Sequence, residues 1–172
     1  MCEALGWTSS ALWMVDPDPN VRALRWVTSH SAPGDLSAFE EVSRTTSFGP
    51  GEGLPGRVWS TGRPVWSADV TLDPNFPRAP IARKVGLRGA FALPIWCEGR
   101  VLAVMEFFST EVAEPDEALL AMMGAVGSQI GQFIERKRAA QEAEEALQLL
   151  QARWLGPLMR FAARRHRDRM GR

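Results

Sequence analysis

The residues best suited to covalent or metal chemistry are few: Cys2, Cys97, His30 and His166. A thiol or hydroxyl nucleophile needs a base within hydrogen-bond reach and a third group to orient that base. His30 closes a segment of alternating residues, and His166 lies in an arginine-rich tail. Neither stands in a context that suggests a cysteine or serine partner. Metal-site spacing is absent as well. His30 is therefore read first as an ordinary strand residue, with haem ligation or proton sensing as its alternatives. The glycine-rich stretch GPGEGLPGR, residues 49–57, has the composition of a phosphate cradle. It lacks the Lys-Ser/Thr ending of a P-loop, and Pro50 and Pro55 remove two amide donors, so it is read as a structural loop.

The elements that must position these groups follow from periodicity. SSALWMVD, Ser9 to Asp16, alternates and reads as a strand closed by DPDPN; LRWVTSHS, Leu24 to Ser31, is a second. GDLSAFEEVSR predicts a short helix with Asp35 as N-cap and Leu36, Phe39 and Val42 on one face. Leu54 to Thr61 forms a brief helix ended by Gly62, Pro64 to Val70 a strand, and Ile81 to Val85 a helix stopped by Gly86. The strongest signal is RGAFALPIWCEGRVLAVMEFFST. Phe91, Leu93 and Ile95 share one face, and Val101, Ala103, Met105 and Phe107 alternate in the next strand. Cys97-Glu98-Gly99-Arg100 makes the tight connection. Pro94 then needs an edge, a bulge or an unpaired position.

From Pro115 the period becomes helical, with Asp116 and Glu117 suited to a helix N-terminus and Leu119, Met122, Val126, Ile130, Phe133 and Ile134 as an apolar stripe. No proline interrupts before Pro157, so a helix of roughly 40 residues is expected. Gly124, Gly127 and Gly131 cost helix propensity of about 1 kcal/mol each, and small residues allow close approach to a sheet or partner helix. Phe133, Ala140, Leu147 and Trp154 fall seven apart, with Ala143 and Leu150 in complementary positions, the pattern of a short parallel coiled coil; a solvated single helix is the alternative. Five strands with helices early, in the middle and at the end predict an α+β domain.

At GEGLPGRVWSTGRPVWSADV, Gly51 to Val70, the sequence resembles GAF domains of the subgroup found in bacterial sensor histidine kinases. The resemblance continues through DPNFPRAPIARKVGLRGAFALPI, VMEFFS and EPDEALLAMMGAVGSQIGQFIERKRAA, over roughly residues 2–142. It implies a GAF-like α+β fold. A central six-stranded antiparallel sheet would have a ligand pocket on one face and terminal helices on the other, with helices on both faces and a long C-terminal helix. The GAF domain would span 1–142, its first helix truncated at CEALGW, followed by a helical extension and basic tail over 143–172.

The resemblance puts Trp59, Trp66, Asp69, Asn75, Arg78, Phe91, Leu93, Met105 and Phe107 near the usual pocket, with Asp69 and Arg78 expected to pair with each other or to read a polar ligand. The tryptophans are expected as core before ligand platform. Covalent bilin attachment needs a cysteine beside the pocket, typically followed by His; Cys97 is followed by Glu98, so none is expected, and haem is not favoured. Asn75 and Phe76 stand without the Lys, Asp and Glu of the cyclic-nucleotide signature. GAF-like methionine sulfoxide reductases use a set of cysteines that Cys2 and Cys97 do not reproduce, so no enzyme activity is expected. The cofactor or ligand stays unassigned. The resemblance implies a homodimer coupled through Phe133, Ala140, Leu147 and Trp154 to an output such as a histidine kinase; a ligandless dimerisation scaffold is the alternative.

Charge divides the chain. Residues 1–150 carry 13 Lys/Arg against 19 Asp/Glu, and residues 151–172 carry 7 against 1. The acidic body argues against nucleic acid as a partner. The tail, with Leu155, Leu158, Met159 and Ala162 at helical spacing beside arginines, is read as a charge-balancing end, with lipid or nucleic-acid contact as its alternative. No stretch approaches the roughly 18 apolar residues of a membrane span, and two cysteines imply no disulfide framework, so a cytoplasmic setting is expected.

Overall fold

A computed structural model describes residues 7–31 and 34–150. Cys2, Trp154 and His166 lie outside them, as does the basic tail. The described residues fall into two compact units, one ending at Gln132 and one beginning at Phe133.

Strands β1 (Ser9–Val15), β2 (Leu24–Ser31), β3 (Ser47–Phe48), β4 (Val65–Ser67), β5 (Ala90–Cys97) and β6 (Arg100–Phe108) form one antiparallel sheet in the order β3-β2-β1-β6-β5-β4. Helices α1 (Ser37–Thr45), α2 (Gly53–Thr61) and α3 (Ala79–Val85) contribute Phe39, Leu54, Val58 and Ala82 to the core on one face. Helix α4 (Glu117–Leu150) contributes Met123 to a second cluster with Phe91, Leu93 and Phe107 on the other. The expected α+β fold, with six antiparallel strands and a long C-terminal helix, is the observed one. The β5–β6 hairpin closes as expected, with Glu98 and Gly99 at φ 52° and 74°, the left-handed pair that matches strand twist.

Several local expectations change. β3 was hidden because two residues carry no periodicity. The strand at Pro64–Val70 shortens to β4, which pairs only with Ala90 to Ala92. Pro94 lies beyond the end of β4, so that side of β5 is unpaired at the proline, while it stays in register with Val104 of β6. In α1 the buried positions are Phe39 and Ser43, while Val42 is exposed. Asp35 lies one residue before the cap, its Oδ1 accepting from the Ser37 hydroxyl at 2.6 Å.

The buried positions of α4 are Met123, Gly127 and Gly131, not the stripe through Met122 and Val126. The physical reason is that the contact is made by glycines, which a hydrophobicity pattern cannot register. A Cβ on Gly131 would stand 1.7 Å from the Trp96 carbonyl oxygen, and one on Gly127 would stand 2.7 Å from that of Pro94. The helix thus lies directly on the β5 backbone. Asp116 caps its start, accepting from the Leu119 amide at 2.9 Å.

Candidate functional site

Alternation along β1, β5 and β6 sends two sets of side chains to opposite faces. Trp13, Glu106 and Phe108 point under α1–α3; Phe91, Leu93, Met105 and Phe107 point to the α4 face. Glu106 is the only charged residue between Val101 and Phe108, and it is fully buried. Its neighbours across the two ladders are Ala11 and Ala92. Two small side chains beside it leave room for a long one to come down from above.

Arg78, the residue that precedes α3, fills that room and is 2% exposed. Its Nη2 donates to both Glu106 oxygens at 2.7 and 2.8 Å, and its Nη1 donates to Ser43 Oγ at 3.0 Å. Trp13 Nε1 donates to Glu106 Oε2 at 2.6 Å. Aromatic rings wall the chamber: the Arg78 Cζ lies 5.1 Å from the ring centroid of Trp13, 5.0 Å from those of Phe39, Phe48 and Phe76, and 5.5 Å from that of Phe108. The rings lock edge to face, Trp13 on Phe48 and Phe39 on Phe108. Arg78 Nε is buried with no hydrogen-bond partner. Replacing a buried ion pair by apolar residues of similar volume is often neutral or stabilising, so the pair is weak evidence for a purely stabilising role. Its presence in a cage of this kind marks the candidate site.

The loops above the chamber are stitched by polar pairs. Asn75 Oδ1 accepts from the Gly53 amide at 3.0 Å, and its Nδ2 donates to the Gly51 carbonyl at 2.9 Å, tying the glycine-rich loop to the segment before α3. Arg57 pairs with Asp73 at 2.5 Å. Asp69 pairs with Arg88, not with Arg78: its Oδ2 accepts from the Arg88 Nε at 2.8 Å, and its Oδ1 accepts from the Thr71 hydroxyl and amide. The expected Asp69–Arg78 pair is thereby corrected, since burial on Glu106 takes Arg78 away from the surface. Burial pushes the Asp69 carboxyl up, but bonds from Arg88 and Thr71 outweigh it and hold the group below the usual carboxylate range.

Of the expected pocket residues, Arg78 reaches the chamber, Asn75 is one of its loop ties, and Trp59 packs against the same core. Trp66, Phe91, Leu93, Met105 and Phe107 lie on the α4 face. There Phe91 stacks on Phe107 at 4.7 Å and Trp66 donates its Nε1 to the Ala113 carbonyl at 2.6 Å. Trp13, Phe39, Ser43, Phe48, Phe108 and Glu106 were not singled out from sequence as site residues, Phe39 having been read only as a helix-face residue. Only Glu106 carried a signal, as a lone charge inside a buried strand. His30 lines a cleft of about 290 Å³ on the α4 face, with Ser10, Leu12, Thr28, Met105 and Ile130. Cys97 is buried at the end of β5. Among the described residues no cluster of His, Cys, Asp and Glu is arranged for a metal, and no helix is long and apolar enough to cross a membrane. In the second unit Phe133 and Leu147 are 60% and 56% exposed, and Ala140 is exposed too.

A family model described as GAF domain matches residues 1–135. Protein NLP1 of Arabidopsis thaliana is 35% identical over 85 residues, covering 44% of this chain and 9% of its own length. The anthocyanin regulatory Lc protein of Zea mays is 34% identical over 64 residues, covering 36% of this chain and 10% of its own. This chain therefore spans about a tenth of each plant relative. Among solved structures, a free methionine-R-sulfoxide reductase of Neisseria meningitidis, in complex with its substrate, is similar with a TM-score of 0.63 at 23% identity, covering 81% of this chain and 74% of that one. The GAF domain of a phosphoenolpyruvate-protein phosphotransferase from Coxiella burnetii gives 0.63 at 21% identity, covering 82% and 79%. These likenesses concern the fold. Free methionine-R-sulfoxide reductases from Thermoplasma acidophilum and Staphylococcus aureus share it as well. The expectation that this chain is no enzyme is accordingly corrected: the fold houses catalysts as well as regulatory domains, and two cysteines alone do not remove it from the first group.

Proposed function

The chain belongs to the GAF domain family, and from that premise we propose that it is a sensory domain that binds a small molecule at the Arg78–Glu106 chamber and passes its occupancy to α4. The supporting observation is the two-sidedness of β6. Glu106 faces the chamber, while Met105 and Phe107 on either side face the cluster that holds Met123 of α4. A ligand that moves the Glu106 carboxylate must shift that strand, and the packed rows behind it respond as a unit because interiors tolerate little compression. Gly127 and Gly131 on the β5 backbone make α4 sensitive to sub-ångström changes. Any ligand acts only to the extent that it binds one seating of α4 better than another.

The exposed Phe133 and Leu147 beyond this contact support a dimeric coiled coil as the carrier. The sequence resemblance favours a bacterial histidine kinase as the output. Native mass spectrometry of freshly purified protein tests the reading. The expected result is a non-covalent adduct that disappears on denaturation and is missing from Glu106→Gln. An adduct-free protein whose melting temperature answers to no library compound would contradict it. Consumption of free methionine-R-sulfoxide in the presence of a thiol reductant, assayed in parallel, would instead assign turnover to this domain.

A further inference from the structure

The chamber also carries the chemical class of its ligand, on the reading above that it is the binding site. Five ring centroids lie 5.0 to 5.5 Å from the Arg78 Cζ, and the Glu106 carboxylate pairs with the same guanidinium. Ring faces carry negative potential, and several of them with one carboxylate form a receptor for an organic cation. Arg78 meets that receptor imperfectly, because its Nε is buried without an acceptor. We infer that Arg78 is a built-in occupant of an organic-cation site, and that the ligand is a small guanidinium or alkylammonium compound that takes its place against Glu106.

The alternative is an anion read by Arg78, and the partner geometry decides between them. An incoming anion has only Arg78 Nε, the donor without a partner, to accept from while Nη2 stays on Glu106. It then adds a second negative charge beside a fully buried carboxylate against a single guanidinium, a net buried charge that is strongly unfavourable. An incoming cation leaves the buried charges balanced: Glu106 keeps a counter-charge, Trp13 keeps its acceptor, the five rings keep a cation, and Ser43, which gives up the Arg78 Nη1 donor, still donates to the Phe39 carbonyl. Only Arg78 loses its place, and its backbone runs between exposed Pro77 and Pro80, so the freed guanidinium has water within reach of its own side chain. The exchange is charge-conserving. It also turns Arg78 into a threshold, because the ligand must outcompete a tethered rival.

The full chain, as wild type and as Arg78→Ala, is titrated with methylguanidinium chloride, tetramethylammonium chloride and sodium acetate at fixed ionic strength. Thermal melting and tryptophan fluorescence are the readouts, with Trp13→Phe identifying the chamber signal. Removing the rival is expected to tighten methylguanidinium binding by about tenfold or more. The melting temperature of Arg78→Ala should rise by roughly 4 °C at ten times the Kd. Acetate should leave both proteins unmoved, and adding Glu106→Gln to Arg78→Ala should abolish the response.

Acetate that stabilises wild type and not Arg78→Ala would overturn the cation assignment while keeping the chamber as a binding site. Silence of all three ions on both proteins would remove the chamber reading itself. Should Arg78→Ala fail to fold, recovery of its native fluorescence on refolding in millimolar methylguanidinium supports the inference. Failure to recover, with a flat wild-type titration, overturns it.

Discussion

Glu106 gathers one arginine and one indole N–H onto a single buried carboxylate. Removing one member of such a pair strands the other, so Glu106→Leu alone should lower stability by about 3–5 kcal/mol in urea denaturation. Replacing both, Arg78→Met with Glu106→Leu, should recover most of that loss and still abolish ligand binding; a double variant as unstable as the single would mean the pair is structural cement. Asp69 gives a second residue-scale test. Its folded carboxyl lies below its unfolded value, so its contribution is complete above the ordinary carboxylate range near pH 4 and is lost as pH falls through the folded value. Asp69→Asn should therefore flatten the acid limb of stability below about pH 4 and leave its shape near neutral pH unchanged, as read by melting curves across pH. At this scale the sequence was least informative: Arg78 and Glu106 lie 28 residues apart, and only the register that sets Ala11 and Ala92 beside Glu106 brings them together.

At the scale of elements, the glycines of α4 divide sharply. Gly131→Ala places a Cβ against a backbone oxygen that cannot rotate away. It should cost roughly 2 kcal/mol or more, despite alanine's helix advantage of about 1 kcal/mol. A Cβ on Gly124 meets nothing within 4 Å, so Gly124→Ala should stabilise by up to about 1 kcal/mol. Thermal melts of the two variants should move in opposite directions. The β5–β6 hairpin, α2 with Gly62 and α3 with Gly86 were legible because local turn chemistry fixed them. β3 and the packed face of α4 were not, since one has only two residues and the other makes its contact through an absence of side chain.

On the scale of the whole molecule, the acidic stretch of residues 1–150 ends in a helix whose later residues expose Leu147 and Leu150. If these form the seam of a dimer, Leu147→Lys should weaken self-association at least tenfold in analytical ultracentrifugation, about 1.4 kcal/mol. Equal dimerisation of the two proteins would set the coiled-coil proposal aside. The heptad spacing was readable in the sequence, whereas the partner that covers it is a property of an assembly.

Amide hydrogen exchange across residues 117–132 tests most directly whether the chamber speaks to α4. Glu106→Gln is compared with Leu36→Ala, a core variant at the start of α1 that leaves the Arg78–Glu106 pair intact, at conditions matched for global stability. Faster exchange in this part of α4 for Glu106→Gln alone is the expected result. Equal protection of the segment in both variants would contradict the coupling.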